Sequence, residues 1–108
     1  MARKKLETLT EPMYYVLLAL VPQSRHGYEI MQYVSQLTSG RVSIGAGTLY
    51  ALLARFEEEG FIFLQDTQDR RKYYALSPSG KAALQEEYDR LRRQVADGAD
   101  LLNKEGRL

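Results

Sequence analysis

The chain has 108 residues, of which 44% are hydrophobic and 27% charged, and its formal net charge is +1. These values fit one small globular domain, and so small a net charge gives no support for nucleic-acid binding by composition alone. The chain has no cysteine and only one histidine, which excludes disulfides, thiolate catalysis and a zinc site built from Cys and His ligands. We therefore expect a cytoplasmic protein without a metal or cofactor.

A basic arm precedes the first predicted helix. Arg3, Lys4 and Lys5 lie within residues 1–9, and no apolar run follows them that would make a signal peptide. The most apolar stretch, residues 13–21, is far too short to span a bilayer. We expect no membrane association.

The first amphipathic helix is predicted to begin at the cap residue Thr10, with Pro12 in its first turn, and to end at Pro22. Its apolar residues repeat at i, i+3, i+4 and i+7. They are Met13, Val16, Leu17 and Leu20.

A second helix is predicted from the cap Ser24 to the stop at Gly40. Its buried stripe is Ile30, Val34 and Leu37. The single histidine, His26, is expected at the start of this helix, where its N–H could contact a phosphate, and a plain surface histidine is the favoured interpretation.

The third predicted helix, before Gly60, has one apolar face and one face of small and hydroxyl-bearing residues. The apolar face is Leu49, Leu52, Leu53 and Phe56. A helix with small residues near its N-terminus can enter the major groove of DNA, which just admits one. The candidate contacts are Ala46, Gly47, Thr48, Tyr50 and Ala51. An ordinary amphipathic surface helix is the alternative interpretation.

Residues 61–76 change to a period of two and predict a hairpin with a polar turn at residues 66–70. Ile62, Leu64, Tyr74 and Leu76 fit this alternation, and one of Tyr73 and Tyr74 should pack inward and the other outward. Arg70, Arg71 and Lys72 lie in or just after the turn, where they can neutralise phosphates or enter a minor groove. A charged edge that prevents strand aggregation is the alternative.

Ser77 and Pro78 predict the start of a last, long helix. Its apolar residues follow a heptad spacing, which is typical of helices that pack along their length. The predicted dimerisation residues are Leu84, Tyr88, Leu91, Val95 and Leu102, with Gly98 also on the seam. We predict that residues 1–76 form a winged helix-turn-helix domain and residues 77–108 a dimerisation helix packed on it. The alternative is that the seam packs only on its own domain.

Three segments resemble the PadR family of transcriptional regulators, in particular its short subgroup with a single C-terminal helix. They are HGYEI (26–30), GTLYALLARFEEEGFI (47–62) and RRKYYALSPSGKAAL (70–84). The resemblance implies a mainly α fold with a small β-hairpin, and a dimeric repressor of a pseudo-palindromic operator. By position it implies DNA contacts from Gly47, Thr48, Tyr50, Arg70, Arg71 and Lys72.

The resemblance also implies release from DNA by a small aromatic or drug-like effector. We expect an effector pocket where the last helix meets the first, since a shift there would change the distance between the DNA-binding heads. Candidate residues are Tyr14, Tyr15, Tyr88 and Val95. The chain has no tryptophan, so stacking on a planar ligand from the last helix depends on Tyr88.

Two other function classes were compared with DNA binding. A winged-helix protein-interaction module without DNA binding is the main alternative, and the near-neutral net charge favours it. An enzyme is disfavoured, because the chain has no paired acids at a credible site and no phosphate-binding loop. The glycines Gly45 and Gly47 lack the preceding strand and βαβ unit of a dinucleotide site.

Overall fold

A computed structural model describes residues 8–105 of the chain. Four helices and one hairpin follow one another as α1 (Glu11–Ala19), α2 (Gly27–Leu37), α3 (Ala46–Glu59), β1 (Ile62–Gln68), β2 (Arg71–Leu76) and α4 (Pro78–Glu105). This is a winged helix-turn-helix with a long C-terminal helix, which confirms the predicted fold class. None of the helices in this range has the length and apolar character needed to cross a bilayer. The basic arm at Arg3, Lys4 and Lys5 lies outside the described residues.

α1 begins where the sequence predicts. The Met13 amide donates to Thr10 Oγ1, and the Thr10 amide donates to Met13 Sδ, each over 3.4 Å. This reciprocal capping satisfies amides that a helix start leaves without partners. The helix ends at Ala19, three residues before Pro22.

α2 begins later than predicted, and its cap is His26, not Ser24. The Glu29 amide donates to His26 Nδ1 over 3.4 Å, and the His26 amide donates to Glu29 Oε1 over 3.2 Å. His26 is only 6% exposed, so the prediction of a surface histidine was wrong. The reason is that a ring nitrogen lone pair serves here as the acceptor that Ser or Asp provides in most caps.

The end of α2 also differs from the predicted stripe. Leu37 is 52% exposed, whereas Thr38 is buried. Thr38 Oγ1 donates to the Val34 carbonyl over 2.9 Å and accepts from the Val42 amide over 3.0 Å. Because this hydroxyl joins the end of α2 to the loop before α3, the polar residue turns inward and the leucine stays outside.

The core lies between α1, α2 and α3. Its largest fully buried side chains are Val16, Leu17, Ile30, Val34, Leu49, Leu53 and Phe56. The hairpin covers one side of this core with Ile62, Tyr74 and Leu76, and α4 adds Leu84. Leu64, which follows the same alternation as Ile62, is 44% exposed, because it belongs to residues 63–72, the exposed part of the hairpin. A β-bulge follows it, between Leu64 and Asp66.

The first turn of α4 is docked on the link between α3 and β1. The Gly80 amide donates to Ser77 Oγ over 3.0 Å, so Ser77 caps the helix as predicted. Ser79 Oγ donates to the Gly60 carbonyl over 2.8 Å. A Cβ at Gly80 would lie 2.0 Å from the Phe61 carbonyl oxygen, so only glycine allows this close approach.

Two turns further along α4, Glu87 connects the helix to the start of α1. Its side chain is buried at 4% exposure, and it accepts hydrogen bonds from the Leu9 amide over 3.3 Å and from the Arg90 guanidinium. Beyond this contact α4 leaves the domain, and Val95 and Leu101 are 70% and 66% exposed.

The Glu87 contact predicts a specific dependence of stability on pH. The hydrogen bond from Arg90, followed by that from the Leu9 amide, lowers the pKa of the Glu87 carboxyl below its ordinary value of 4.5. A lowered folded-state pKa contributes stability above the unfolded value, and this contribution disappears as the pH falls through the folded-state pKa. Glu87→Gln is therefore expected to lower the free energy of unfolding at pH 7 by about 1 kcal/mol.

Urea unfolding at pH values from 7 to 3 measures this effect. The difference between wild type and Glu87→Gln should shrink as the pH falls below 4.5. Glu86→Gln, which changes the exposed neighbour, is the matched control and should leave the unfolding free energy unchanged. A Glu87→Gln effect of the same size at pH 7 and pH 3 would contradict the assignment.

Candidate nucleic-acid interface

The N-terminal end of α3 presents the predicted small-residue face to solvent. Ala46, Gly47, Thr48, Tyr50 and Ala51 are all exposed. The opposite side of the helix is anchored in the core by the buried Leu49, Leu53 and Phe56. The orientation of α3 is therefore fixed by its apolar face.

The cap of α3 leaves its first amides open. Gly45 is the N-cap residue and makes no side-chain hydrogen bond to the helix. The amides at the start of a helix have no partner within the helix and carry the positive end of its dipole. An anionic group can therefore approach α3 at this end without displacing a capping side chain.

The hairpin tip is tighter than the sequence predicts. β1 ends at Gln68 and β2 begins at Arg71, so the turn is Asp69–Arg70 alone. Both residues have positive φ, +50° and +66°, as in the two-residue turns that match the twist of paired strands. Arg70 is therefore at the tip, and Arg71 and Lys72 begin β2.

The start of α2 is attached to the hairpin, and the sequence contains no pattern that predicts this. The Arg25 amide donates to the Tyr74 carbonyl over 3.1 Å, and the Tyr74 amide donates to the Arg25 carbonyl over 3.0 Å. The edge of the Tyr73 ring also packs on the buried His26 ring, with centroids 5.1 Å apart. The hairpin is thus held by α2 as well as by its own strand pairing.

Tyr50 is packed against the same end of α2. A Cβ built on Gly27 would lie 2.6 Å from the Tyr50 hydroxyl oxygen, so the ring occupies the space that the missing side chain leaves. Gly27 thereby provides the close packing between α2 and α3. Tyr50 remains 56% exposed, and Tyr28 beside it is 58% exposed.

These elements enclose a cavity of about 270 Å³, which we call the α2–wing notch. It is lined by His26, Gly27, Tyr28, Tyr50, Arg70, Arg71, Lys72 and Tyr74. The structure therefore brings together four residues that the sequence analysis assigned to DNA: Tyr50, Arg70, Arg71 and Lys72. Sequence reasoning did not find Tyr28, because an exposed tyrosine in a helix has no distinctive spacing.

The candidate effector residues do not all meet. Tyr14 and Tyr88 line a mostly apolar groove of about 470 Å³ between α1 and α4, together with Leu18, Val21, Leu76, Lys81, Leu84 and Gln85. Burial raises the pKa of the Tyr14 hydroxyl, as does the nearby Tyr88, so this wall of the groove stays neutral. Tyr15 points instead toward Arg41, whose guanidinium donates to its hydroxyl over 3.1 Å. Val95 lies seven residues beyond Tyr88 on α4, about 10.5 Å along the helix.

The residues assigned to dimerisation fall into two groups. Leu84 belongs to the core of its own domain. Tyr88 is 46% exposed, Val95 is 70% exposed, and Leu91 and Leu102 are half-buried. Within residues 8–105, no three His, Asp or Glu side chains are grouped so that they could hold a metal ion.

The tip geometry predicts opposite effects of the same change at two neighbouring arginines. Positive φ costs a residue with a side chain roughly 1–2 kcal/mol, whereas glycine adopts it freely. Arg70→Gly is therefore expected to raise the free energy of unfolding by roughly 0.5 kcal/mol, after the entropy cost of glycine is subtracted. Arg71→Gly, in the strand, should lower it by roughly 0.5–1 kcal/mol.

Urea unfolding of the two variants measures the difference, and they serve as controls for each other because each loses one arginine. Equal destabilisation by both substitutions would show that Arg70 does not carry the backbone strain.

Comparisons with known proteins agree with this architecture. Residues 16–86, well over half of the chain, match the Transcriptional regulator PadR-like family. A curated protein of Lysinibacillus sphaericus is 37% identical over 75 residues, which cover 66% of this chain and 69% of that protein.

Among solved structures, a transcriptional regulator from Clostridium thermocellum is similar with a TM-score of 0.72 and 26% identity, over 85% of this chain and 89% of that chain. PadR of Bacillus subtilis, solved in complex with operator DNA, has a TM-score of 0.63 and 28% identity. That match covers 71% of this chain and 47% of the Bacillus subtilis protein, so this chain spans about half of its length. The chain belongs to the PadR-like family of transcriptional regulators, which are not enzymes.

Proposed function

We propose that the chain binds an operator in duplex DNA as a homodimer and represses transcription from it. The observation that carries this proposal is that Tyr50 of α3 and the basic residues of the hairpin line one cavity, beside the open N-terminus of α3. The complex of Bacillus subtilis PadR with operator DNA supports the proposal through the shared fold.

In this proposal α3 enters the major groove with its small face, formed by Ala46, Gly47 and Ala51. Thr48 donates to a base edge or phosphate from the first turn. Since this face carries few side chains that hydrogen-bond to bases, sequence preference depends strongly on DNA shape and deformability. Many DNA-binding helices contact bases through long Arg and Gln side chains. Here the helix backbone itself would lie close to the bases.

The hairpin provides most of the electrostatic attraction. Arg70, Arg71 and Lys72 are exposed at the tip and the start of β2, where they meet phosphates on either side of the groove that α3 occupies. Such contacts fix the register of the protein on the duplex but carry no sequence information themselves. They also make the affinity depend on salt, because each one releases condensed counterions.

Dimerisation follows from the unsupported length of α4. A helix of 28 residues is about 42 Å long, and only its first part packs on the domain. Val95 lies on the heptad seam and is 70% exposed among residues 8–105. A second α4 packed along that seam would cover it. Two domains joined this way would place their α3 helices about one helical turn, ~34 Å, apart on DNA. Residues 1–76 are then the DNA-binding head and residues 77–108 the dimerisation segment.

An effector site is proposed in the groove between α1 and α4, with Tyr14 and Tyr88 as its aromatic walls. Tyr15 and Val95 do not line this groove in one subunit. They would contact the effector where the second subunit extends the groove to them. A small aromatic ligand releases the operator if it binds better to a dimer whose heads are wrongly spaced for DNA.

The DNA-binding proposal is tested first by selecting bound sequences from a pool of random duplexes. Two inverted half-sites are expected in the selected sequences, since a two-fold symmetric dimer requires them. Selected sequences without symmetry would contradict dimeric binding. Failure to enrich any sequence would favour the alternative of a protein-interaction module.

The hairpin's role is tested on the selected duplex with the double variant Arg71→Ala/Lys72→Ala. It should bind at least tenfold more weakly at moderate salt, and the slope of log Kd against log salt should flatten by about one unit for each phosphate that is no longer neutralised. Fluorescence anisotropy at several salt concentrations gives both values.

The matched control is Arg93→Ala/Lys104→Ala, which removes two exposed positive charges from α4. It should leave the slope unchanged. An unchanged slope in the Arg71/Lys72 variant would show that these two side chains do not meet phosphates.

A further inference from the structure

We infer that the α2–wing notch holds one phosphate of the DNA backbone, and that the hydroxyls of Tyr28 and Tyr50 donate to it. The inference rests on the proposed function and assigns Tyr50 a different task within it. Tyr50 contacts the backbone, and Thr48 with the small residues of α3 is left to contact bases.

The chemistry of the notch selects an anion. Its walls carry the cations Arg70, Arg71 and Lys72 and the two tyrosines, and no carboxylate is among its lining residues. The nearest acid of α2, Glu29, is engaged in capping, since it accepts from the His26 amide. Such a lining fits a ligand that has a negative charge and several oxygen atoms that accept hydrogen bonds.

The Tyr50 ring is packed against the start of α2. Its hydroxyl end lies over Gly27, where a Cβ would come within 2.6 Å of the oxygen and 2.9 Å of the adjoining ring carbon. A ring held against α2 is directed away from a groove that α3 would enter. Among the described residues neither Tyr28 nor Tyr50 gives its hydroxyl proton to a protein acceptor, so both donors are available.

The two sides of the notch are also held together. The Arg25–Tyr74 backbone pair joins the start of α2 to β2, and the His26 and Tyr73 rings pack edge to face beneath it. The backbone segments that carry the tyrosines and the hairpin cations are thus held close together by the fold. A preformed donor set binds more tightly because its groups give up little freedom when the ligand enters.

Backbone binding predicts a drop in affinity that does not depend on DNA sequence. Tyr28→Phe and Tyr50→Phe should each weaken binding to the selected operator and to a random duplex by the same factor, roughly tenfold to a hundredfold, as expected for a hydrogen bond to a charged group. Tyr33→Phe is the matched control, because it removes a tyrosine hydroxyl from α2 outside the notch, and it should change neither affinity. Thermal unfolding of the three variants should coincide with that of wild type.

The phosphate itself is located with duplexes that carry a neutral methylphosphonate at one backbone position at a time. For wild type, one position in each half-site should weaken binding, because the notch then meets an uncharged group. In Tyr28→Phe and Tyr50→Phe, the methylphosphonate at that position should weaken binding much less than it does in wild type. The methylphosphonate and the lost hydroxyl remove the same interaction, so their effects do not add. Gly27→Ala, which displaces the Tyr50 ring, should behave like Tyr50→Phe.

A free phosphate ion shares the chemistry of the backbone group, so a titration with inorganic phosphate at constant ionic strength is the second arm. Competition with DNA that disappears in Tyr28→Phe/Tyr50→Phe supports the notch as the site. Phosphate binding to the notch without any methylphosphonate coupling would overturn the DNA assignment.

Three further outcomes would overturn the inference. One is a Tyr50→Phe effect confined to the operator and altered by base substitution, which would make Tyr50 a base contact. Another is that neither tyrosine variant changes the affinity, while Arg71→Ala/Lys72→Ala still flattens the salt slope. The proposed function would then stand, and only the inference about the notch would fail. The third is a wild type that binds no duplex, which overturns both.

Discussion

The pair of backbone hydrogen bonds between Arg25 and Tyr74 is the constraint on which the rest of the candidate interface depends. A two-stranded hairpin is marginally stable by itself, and residues 63–72 of this one are all exposed. By pairing with a third short segment, β2 gains a second neighbour and the hairpin gains a fixed direction. The same pairing places His26 at the start of α2, where its ring both caps the helix and supports Tyr73.

Several features of the interface follow from that arrangement. Because α2 starts at Gly27, the absent side chain leaves room for Tyr50, and α3 can approach α2 closely. The open cap at Gly45 and the positive φ at Asp69 and Arg70 are local weaknesses. Functional sites often retain such strain when the surrounding structure over-determines it. Here the core beneath α3 and the Arg25–Tyr74 pair stabilise the strained positions. The exposed face of α3 and the hairpin tip are therefore not needed for folding and are available to contact a ligand.

α4 has two different roles along its length. Its first turns are tied to the domain by the Ser77 cap, the close approach at Gly80 and the buried Glu87. In its second half Val95 and Leu101 are exposed among residues 8–105. A rigid connection at one end and a free seam at the other is what a dimer needs if movement of the seam is to change the spacing between two DNA-binding heads.

The sequence predicted those elements whose causes are local. The Thr10 cap, the stripe from Leu49 to Phe56 and the Ser77–Pro78 start depend on neighbours within one or two turns, and the structure confirms them. The His26 cap, the exposed Leu37 and Leu64, and the Asp69–Arg70 turn were not predicted. Histidine is not among the usual helix caps, although its partner Glu29 lies only three positions on. Leu37 stays outside because the neighbouring Thr38 hydroxyl turns inward to Val34 and Val42. For the site, residue types identified the basic hairpin and the small face of α3. Tyr28 could be assigned to the site only once the structure placed it beside Tyr50 and the hairpin cations.

Amide hydrogen exchange at Arg25 and Tyr74 tests the central claim most directly, that the hairpin is fixed to α2 before DNA is bound. In the free protein both amides are predicted to exchange as slowly as those of the buried α3 residue Leu53, and much more slowly than the amides at residues 69–72 of the tip. DNA should then protect the tip without further slowing Arg25 and Tyr74. If the Arg25 and Tyr74 amides exchange as fast as the tip in the free protein, the hairpin is not held by α2, and the account of a preformed interface is wrong.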